Sequence, residues 1–408
     1  MSRELRIVVI GGGIAGVSAA YWLANHPSRP EVTVLEAEGR LAAHTTGRSA
    51  AQFIANYGAE PTRPLSAASR AFLTAPPEGL TDHPLLARRG HLSVAGPGQE
   101  AALVTALAEG RTHDTPPADR QAHDTPPADH QGGVVALTPD EAVQRFPPLR
   151  TERVIGAVYE PGSADIDVAG LHQVFVRGAT RAGARIALHQ RVTALEADAG
   201  AGAWRITAVD PAGDHTVRRT DVVVNAAGAW GDMVAASAGV RPLGLTPRRR
   251  TAFMVTNPVP DGRDWPLVAD IDHRWYLKPD GTQLLCSPAD ETPSEPCDAR
   301  PEEVDVARAI EAINEATTLG LRTVRSAWAG LRTFTSDEAM AIGPDPDHPG
   351  FVWCVGQGGV GIQTAPAAGA LTARSVLGPG DRPGGGHPSD PDLSGVDVAR
   401  LSPARFRD

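Results

Sequence analysis

The sequence predicts an α/β fold with a second, β-rich region inserted into it, and three observations carry that prediction. An apolar strand at 7–10 runs into the turn Gly11, Gly12, Gly13 and a helix through Gly16, and a second apolar run at 32–35 ends in Glu36. Another apolar run at 351–355 leads into a second glycine loop, 356–364, that opens a helix. Between these, from 250 to 286, short apolar segments are punctuated by Pro and Gly, the pattern of β-structure.

The first unit reads as the strand, turn, helix and parallel strand that seat a dinucleotide. Gly11 allows the tight turn, Gly13 lets backbone N–H groups approach a pyrophosphate, Gly16 lets the helix pack closely, and Glu36 stands where a carboxylate bonds a ribose hydroxyl. Residues 7–24 carry no charge and follow Arg3 and Arg6, so a signal peptide or anchor is the plain alternative. Three consecutive glycines disfavour a helix there, a strand follows at once and no small-residue cleavage site is evident. No other segment has the sustained apolarity of a membrane span, so a soluble, cytoplasmic protein is expected.

Further along, 39–58 reads as a loop with a short helix, and Thr138-Pro139-Asp140-Glu141 as a capped helix start stopped by Phe146-Pro147-Pro148. The stretch from His113 to Asp119 recurs at 123–129 with paired prolines, which predicts an exposed insertion over 111–131 and no metal site. Asp167 caps a helix to Arg181, followed by strands at 185–188, 192–195, 204–209 and 221–225. A second region is expected to begin near 235–239. Residues 301–320 form an amphipathic helix with Val304, Val306, Ile310, Ile313 and Ala316 as its apolar positions, and 379–408 reads as a surface tail.

The chain has 408 residues, 41% of them hydrophobic, enough for a sizeable core. Its formal charge of -10 argues against a nucleic-acid partner, although Arg248, Arg249 and Arg250 stand together. Three cysteines do not make a disulfide framework or a zinc site. Glycine loops on helix starts near both ends fit a long cofactor gripped at both of its ends, which favours FAD over NAD. The helix opening near Ile362 presents its positive end where negative charge collects on a reduced flavin.

Residues 11–16 with Glu36, Thr46 to Ala51, Asn225 to Trp230, Trp328 to Arg332 and Gly356 to Thr364 together resemble the D-amino-acid-oxidase-like flavoenzymes, and within them the bacterial D-arginine dehydrogenases. The likeness runs from Arg6 to about Leu377. It implies a Rossmann-like FAD-binding domain of the GR2/DAO type, assembled from 1–75, 150–235 and 328–378, with a mixed β-sheet substrate domain from 76–149 and 236–327. It also implies non-covalent FAD contacting Gly11, Gly13, Ile14, Ala15, Gly16, Glu36, Arg48, Ser49, Ala50, Val192, Ala227, Gly228, Trp230, Gly358, Gly359, Gly361, Ile362 and Gln363. Trp230 is equally readable as core packing.

At the substrate end, the resemblance implies that Arg250 and Arg332 clamp a carboxylate with Tyr57 and Tyr276 beside them. A guanidinium supplies the permanent charge and bidentate fork that orienting a small amino acid requires. The wider pocket would comprise Gln52, Ile54, His91, Gly330, Val360 and Gln363. The resembled enzymes carry an acid at the position of His91, a His at Gln52, a Thr at Ile54 and a Tyr at Val360. Loss of the acid and the more apolar Ile54 and Val360 predict a neutral D-amino acid, with a partly protonated His91 repelling D-arginine. The implied reaction is oxidation of the Cα–N bond by hydride transfer to flavin N5, giving an imino acid that hydrolyses to a 2-oxo acid and ammonia. The electron acceptor, whether quinone, carrier or O2, and the oligomeric state are left open. Two other readings stand: oxidation of an N-alkylated or cyclic amino acid or amine, and a flavin-binding electron-transfer subunit without a substrate.

Overall fold

The computed structural model describes residues 4–111, 133–198, 202–378 and 387–407. Its first layer is a six-stranded sheet in the order Ala341–Pro344, Phe351–Val355, Val222–Asn225, Arg6–Ile10, Glu31–Leu35, Arg185–Ala187. All neighbours are parallel except the first pair. Strand Arg6–Ile10 reads as an unbroken apolar run because both of its faces are covered. Ile7 and Val9 join a core with helices Ile14–Ala24, Val168–Arg181 and Gly361–Leu377, while Val8 and Ile10 join a second core with Leu195, Trp204, Ile206 and Ala235. The helices Ile14–Ala24 and Gly361–Leu377 approach closely at Gly369, where a Cβ would fall 2.1 Å from Ser18 Oγ.

The second layer is an eight-stranded sheet in the order Val324–Phe334, Thr246–Thr256, Gln283–Ser287, Tyr276–Asp280, Leu267–Asp270, His91–Ala95, Gly156–Glu160, Val135–Leu137. Strands Gly156–Glu160 and Val324–Phe334 therefore pair within this sheet, which corrects the expected boundaries at 150 and 328. Hydrogen bonding, not proximity to a glycine motif, decides where a strand belongs. The helix Gly231–Ser237 spans much of the expected break at 235–239, and the next strand begins at Thr246. An antiparallel meander, Arg191–Asp198, Ala203–Val209 and His215–Thr220, includes a last strand whose polar sequence hid it.

Thr138 caps helix Pro139–Arg145 in a full capping box with Glu141, and Asp167 accepts from Gly170 N at the start of Val168–Arg181, both as expected. The amphipathic helix is Glu303–Ala316, with Val306, Ala309 and Ile313 buried. Val304, expected on that face, is 53% exposed, because two residues turn the helix by about 200° from Val306. The expected surface tail is also corrected: Leu393, Val396 and Leu401 are buried in the first core. Apolar residues spaced widely among Gly, Pro and Asp carried no periodic signal. The predicted insertion of 111–131 lies outside the described residues beyond Arg111, which ends helix Glu100–Arg111. Among the described residues, no helix is long and apolar enough to cross a membrane.

Candidate active site

Three cavities lie in series, from the carboxyl ends of the parallel strands at Ile10 and Leu35 to one face of the eight-stranded sheet. The first, about 390 Å³, is bordered by Gly11, Gly13, Glu36, Val192, Ala227 and Trp230. The second, about 130 Å³, shares Gly13, Thr46 and Gly228 with the first and adds Ile14, Ala15, Gly358 and Gly361. The third, about 370 Å³, shares Ser49, Ala50, Arg250, Tyr276, Arg332, Gly359 and Ile362 with the second. Together they form a channel for a long ligand, with a polar chamber at its far end.

The glycines shape its walls. Gly11 has φ +109°, and a Cβ there would lie 2.5 Å from Ala226 O; one on Gly16 would lie 1.9 Å from Gly11 O. Gly13 is the cap residue of helix Ile14–Ala24 and supplies no side chain to its N–H groups. Ile14 N donates to Thr46 Oγ1, and Gly13, Ile14 and Ala15 border the second cavity, so the helix start lies at the channel wall, an arrangement suited to a phosphate. Glu36 accepts from Gly12 N at 2.7 Å and from Glu38 N at 2.8 Å, which fixes its carboxylate at the channel wall. Trp230 borders the first cavity with its ring 4.8 Å from that of His44, so it is both packed and channel-lining.

Several expected contacts are otherwise arranged. Arg48 borders the second cavity, but its guanidinium donates to Ala299 O and Ala329 O and pairs with Asp298. Gln363 borders the third cavity while its amide is committed to Ile54 N, Ile54 O and Ser66 Oγ. Val360, expected to widen the pocket, is 5% exposed, belongs to the first core and borders none of the three cavities. The helix start turns it toward Gly58, whose Cβ would lie 2.7 Å from Val360 Cγ1. Gly330 lines the second cavity and not the third.

The chamber is built by a sheet face and one loop. Leu267 pairs with His91 and His91 with Glu160, while Ala269 pairs with Ser93 and Ser93 with Val158, so alternate residues of three strands form its floor. Arg332 donates to Tyr57 Oη at 2.9 Å and borders the cavity. Gly359 leaves room for this pair, since a Cβ there would fall 2.9 Å from both Arg332 Nη1 and Tyr57 Oη and would displace one or both side-chain ends. Arg250 donates through Nε to Asp290 O at 2.8 Å and through Nη2 to Glu291 at 2.5 Å. Its neighbours divide by strand alternation: Arg249 turns away to Asp290, Glu302 and Asp305, and Arg248 pairs with Glu291 and Glu338. Burial, and then the charge of Arg332, lower the pKa of Arg250, yet a guanidinium stays protonated at neutral pH.

His91 corrects the sequence reading. Gln52 donates to Gly90 O, which leaves Gln52 Oε1 to accept from His91 Nδ1 at 2.9 Å, so Nε2 takes the Ser93 hydroxyl at 3.1 Å. Burial, with a smaller contribution from His273, pushes its pKa down to about 4, so it is neutral at pH 7 and repels no cation. The chamber also holds an acid that sequence reasoning missed, Glu160, whose pKa burial raises against its hydrogen bonds. Asn56 and His273 line the chamber as well. Only strand register brings Glu160 beside His91, and no local motif marks that.

The fold sets a glycine turn of the dinucleotide-binding type beside a chamber bordered by Arg250, Arg332, Tyr57 and Tyr276. The chain belongs to the FAD dependent oxidoreductase (DAO) family, whose model matches residues 6–375. FAD-dependent oxidoreductase domain-containing protein 1 of Bos taurus is 28% identical over 91% of this chain and 81% of its own length. Glycine oxidase of Geobacillus kaustophilus is 24% identical over 92% and 94%, and its crystal structure superposes with a TM-score of 0.77 over 98% of each chain at 23% identity. L-proline dehydrogenase from P. horikoshii superposes with a TM-score of 0.76 over 100% of this chain and 99% of that one at 21% identity.

Proposed function

We propose that this protein oxidises the C–N bond of a small α-amino acid whose carboxylate is held between Arg250 and Arg332. The observation that carries this is that Arg250, Arg332 and Tyr276 border both the second and the third cavity, with Tyr57 joined to Arg332 on the side of the third. FAD fits the channel on its glycine walls, the open helix start at Gly13 and the fixed Glu36 carboxylate, and when bound it supplies a two-electron acceptor. Gly13 to Gly16 would hold its pyrophosphate, Glu36 its ribose and Gly358 to Ile362 its ring. FAD would be held non-covalently, through those contacts alone.

Arg332 is buried with Tyr57 as its hydrogen-bond partner and Arg250 shares its fork with Glu291, so a substrate carboxylate would add a charged, bidentate partner. Anchoring that group turns the adjacent carbon and its amine toward Gly359 and Ile362, so alignment supplies much of the rate. The amine would enter neutral, the hydrogen on the adjacent carbon would leave with two electrons for the bound FAD, and a proton from nitrogen would pass to solvent; water would then open the imine to a carbonyl product, with ammonia or an amine released unless a ring keeps it tethered.

The relatives include proteins named for glycine, sarcosine and L-proline. These share an α-amino or imino carboxylate and no D side chain. We therefore place glycine-like, N-substituted and cyclic amino acids first. A neutral D-amino acid is the second reading, favoured by Ile54, Val158, Leu267 and Ala269 in the chamber wall. D-arginine ranks last because Glu160 already accepts from Ala55 N, Asn56 Nδ2 and Ser163 Oγ. The test is turnover by the FAD-loaded protein, with a dye acceptor, of glycine, sarcosine, L-proline, D-leucine, D-methionine and D-arginine. Carbonyl product from the first three above D-arginine supports the reading, and no product from any of the six contradicts it.

A further inference from the structure

Tyr57 reaches Arg332 from a span, residues 54–57, that has no helix or strand of its own. Loop side chains ordinarily have the most freedom, yet this hydroxyl must meet one guanidinium nitrogen at the rim of the chamber. Two buried polar side chains grip the span from opposite layers. Gln363, 2% exposed in the first turn of helix Gly361–Leu377, accepts from Ile54 N and donates to Ile54 O, both at 3.0 Å. Its amide also donates to Ser66 Oγ at 2.7 Å. Glu160, 6% exposed at the end of strand Gly156–Glu160, accepts from Ala55 N at 2.8 Å and from Asn56 Nδ2 at 3.0 Å. Ser163 Oγ is its next donor, at 3.2 Å.

We propose that Glu160 and Gln363 are positioning residues, which fix the 54–57 span so that Tyr57 holds Arg332 in the orientation that receives a carboxylate. The inference rests on the clamp reading above. It differs from a substrate-binding role for either group, because their hydrogen-bonding atoms are turned to the span and not to the cavity. Buried donors that lose their acceptor move or stay unpaired, and either outcome releases the loop. Because one anchor comes from the helix that opens at the cofactor channel and the other from the sheet under the chamber, the span sets the clamp relative to both layers.

The chemistry of the Glu160 contact allows a reversal. Glu160→Gln keeps one acceptor for Ala55 N but removes the charge and turns a donor toward Asn56 Nδ2, so the Asn56 amide must rotate to meet it and the span shifts with it. Adding Asn56→Asp restores a donor and acceptor with their roles exchanged and the net charge unchanged.

The experiment measures acetate binding to the FAD-loaded protein through the change in flavin absorption, together with Tm and FAD content. Glu160→Gln is expected to bind acetate about tenfold more weakly with FAD retained, the loss expected of one hydrogen bond to a charged group. Tyr57→Phe should show the same loss, and the two changes combined should be no worse than either alone, since both act through one contact. The Glu160→Gln/Asn56→Asp variant should return to within about threefold of wild type, on the same reasoning. Should Glu160→Gln fail to fold, the exchanged pair and Gln363→Met carry the test, the latter expected to weaken acetate about tenfold. Wild-type acetate affinity in folded Glu160→Gln or Gln363→Met overturns the proposal. So do losses from Glu160→Gln and Tyr57→Phe that multiply, or a folded exchanged pair that still binds poorly. A wild-type protein that binds no acetate at all instead overturns the clamp reading on which the proposal stands.

Discussion

Arg250 and Arg332 stand diagonally on one face of a single antiparallel strand pair, because Arg250 is in register with Gly330 and Arg332 lies two residues beyond it. Strand geometry thus sets their separation and leaves Gly330 between them with no side chain. Like charges so placed repel, and each arginine is steadied by a different neighbour, Arg250 by Glu291 and Asp290 O, Arg332 by Tyr57. An anion bound between the two would offset that repulsion, as the proposed function requires.

Arg250→Met is therefore expected to raise KM for the amino acid more than it lowers kcat, with kcat/KM down roughly 10- to 100-fold and FAD content unchanged. The loss should be smaller than at Arg332, because Glu291 already shares the Arg250 fork. Steady-state kinetics on the two variants check the ranking.

The cofactor end responds to different residues. Gly16→Val places a side chain where even a Cβ would lie 1.9 Å from Gly11 O, so FAD retention should be lost. Glu36→Ala leaves Gly12 N and Glu38 N without their acceptor and should lower FAD occupancy without altering the clamp. Denaturing the wild-type protein should release intact FAD into the filtrate, measured by absorption and chromatography; flavin remaining on the chain would contradict non-covalent binding.

His91 makes stability depend on acid pH. Its folded pKa, pushed down to about 4 chiefly by burial, lies below the unfolded value, so the folded state binds fewer protons between pH 6.5 and 4. The stability that neutral His91 contributes is complete above pH 6.5 and is lost as pH falls toward 4, on the order of 3 kcal/mol in all. Urea unfolding of wild type and His91→Gln across that range should show a shallower acid decline in the variant. Parallel declines would mean that His91 is not held neutral.

Helix Glu303–Ala316 gives a test of packing. Ile313 is fully buried, and Ile313→Ala should cost about 2–5 kcal/mol. Val304→Ala, on the exposed face, should stay within about 0.5 kcal/mol. Chemical denaturation of both variants decides whether the apolar face runs through Val306, Ala309 and Ile313.

What was legible in the sequence follows from how local each signal is. The strand, turn and helix at 6–24, the helix at Gly361, the capping box at Thr138 and the Asp167 cap are short-range patterns, and each forms as expected. Arg250 and Arg332 were singled out through family resemblance and the chemistry of guanidinium, and both border the chamber. Register was not: His91 beside Glu160, and Gly156–Glu160 within the large sheet, depend on strand pairing that no window of residues encodes. Val360 and Arg48 belong to motifs that do line the channel, but packing at Gly58 takes the Val360 side chain out of it and the 298–299 loop engages the Arg48 guanidinium.

The central claim is that an amino acid's carboxylate, held at Arg332, brings its C–N bond to the bound cofactor. Anaerobic addition of sarcosine, or of the best substrate found in the panel, to FAD-loaded wild type and Arg332→Met tests it most directly through bleaching of the flavin absorption. Wild type should bleach, and Arg332→Met, with equal FAD content, should bleach at least about 100-fold more slowly, as expected when a buried charge-assisted fork is removed. Bleaching of Arg332→Met at the wild-type rate would contradict the account.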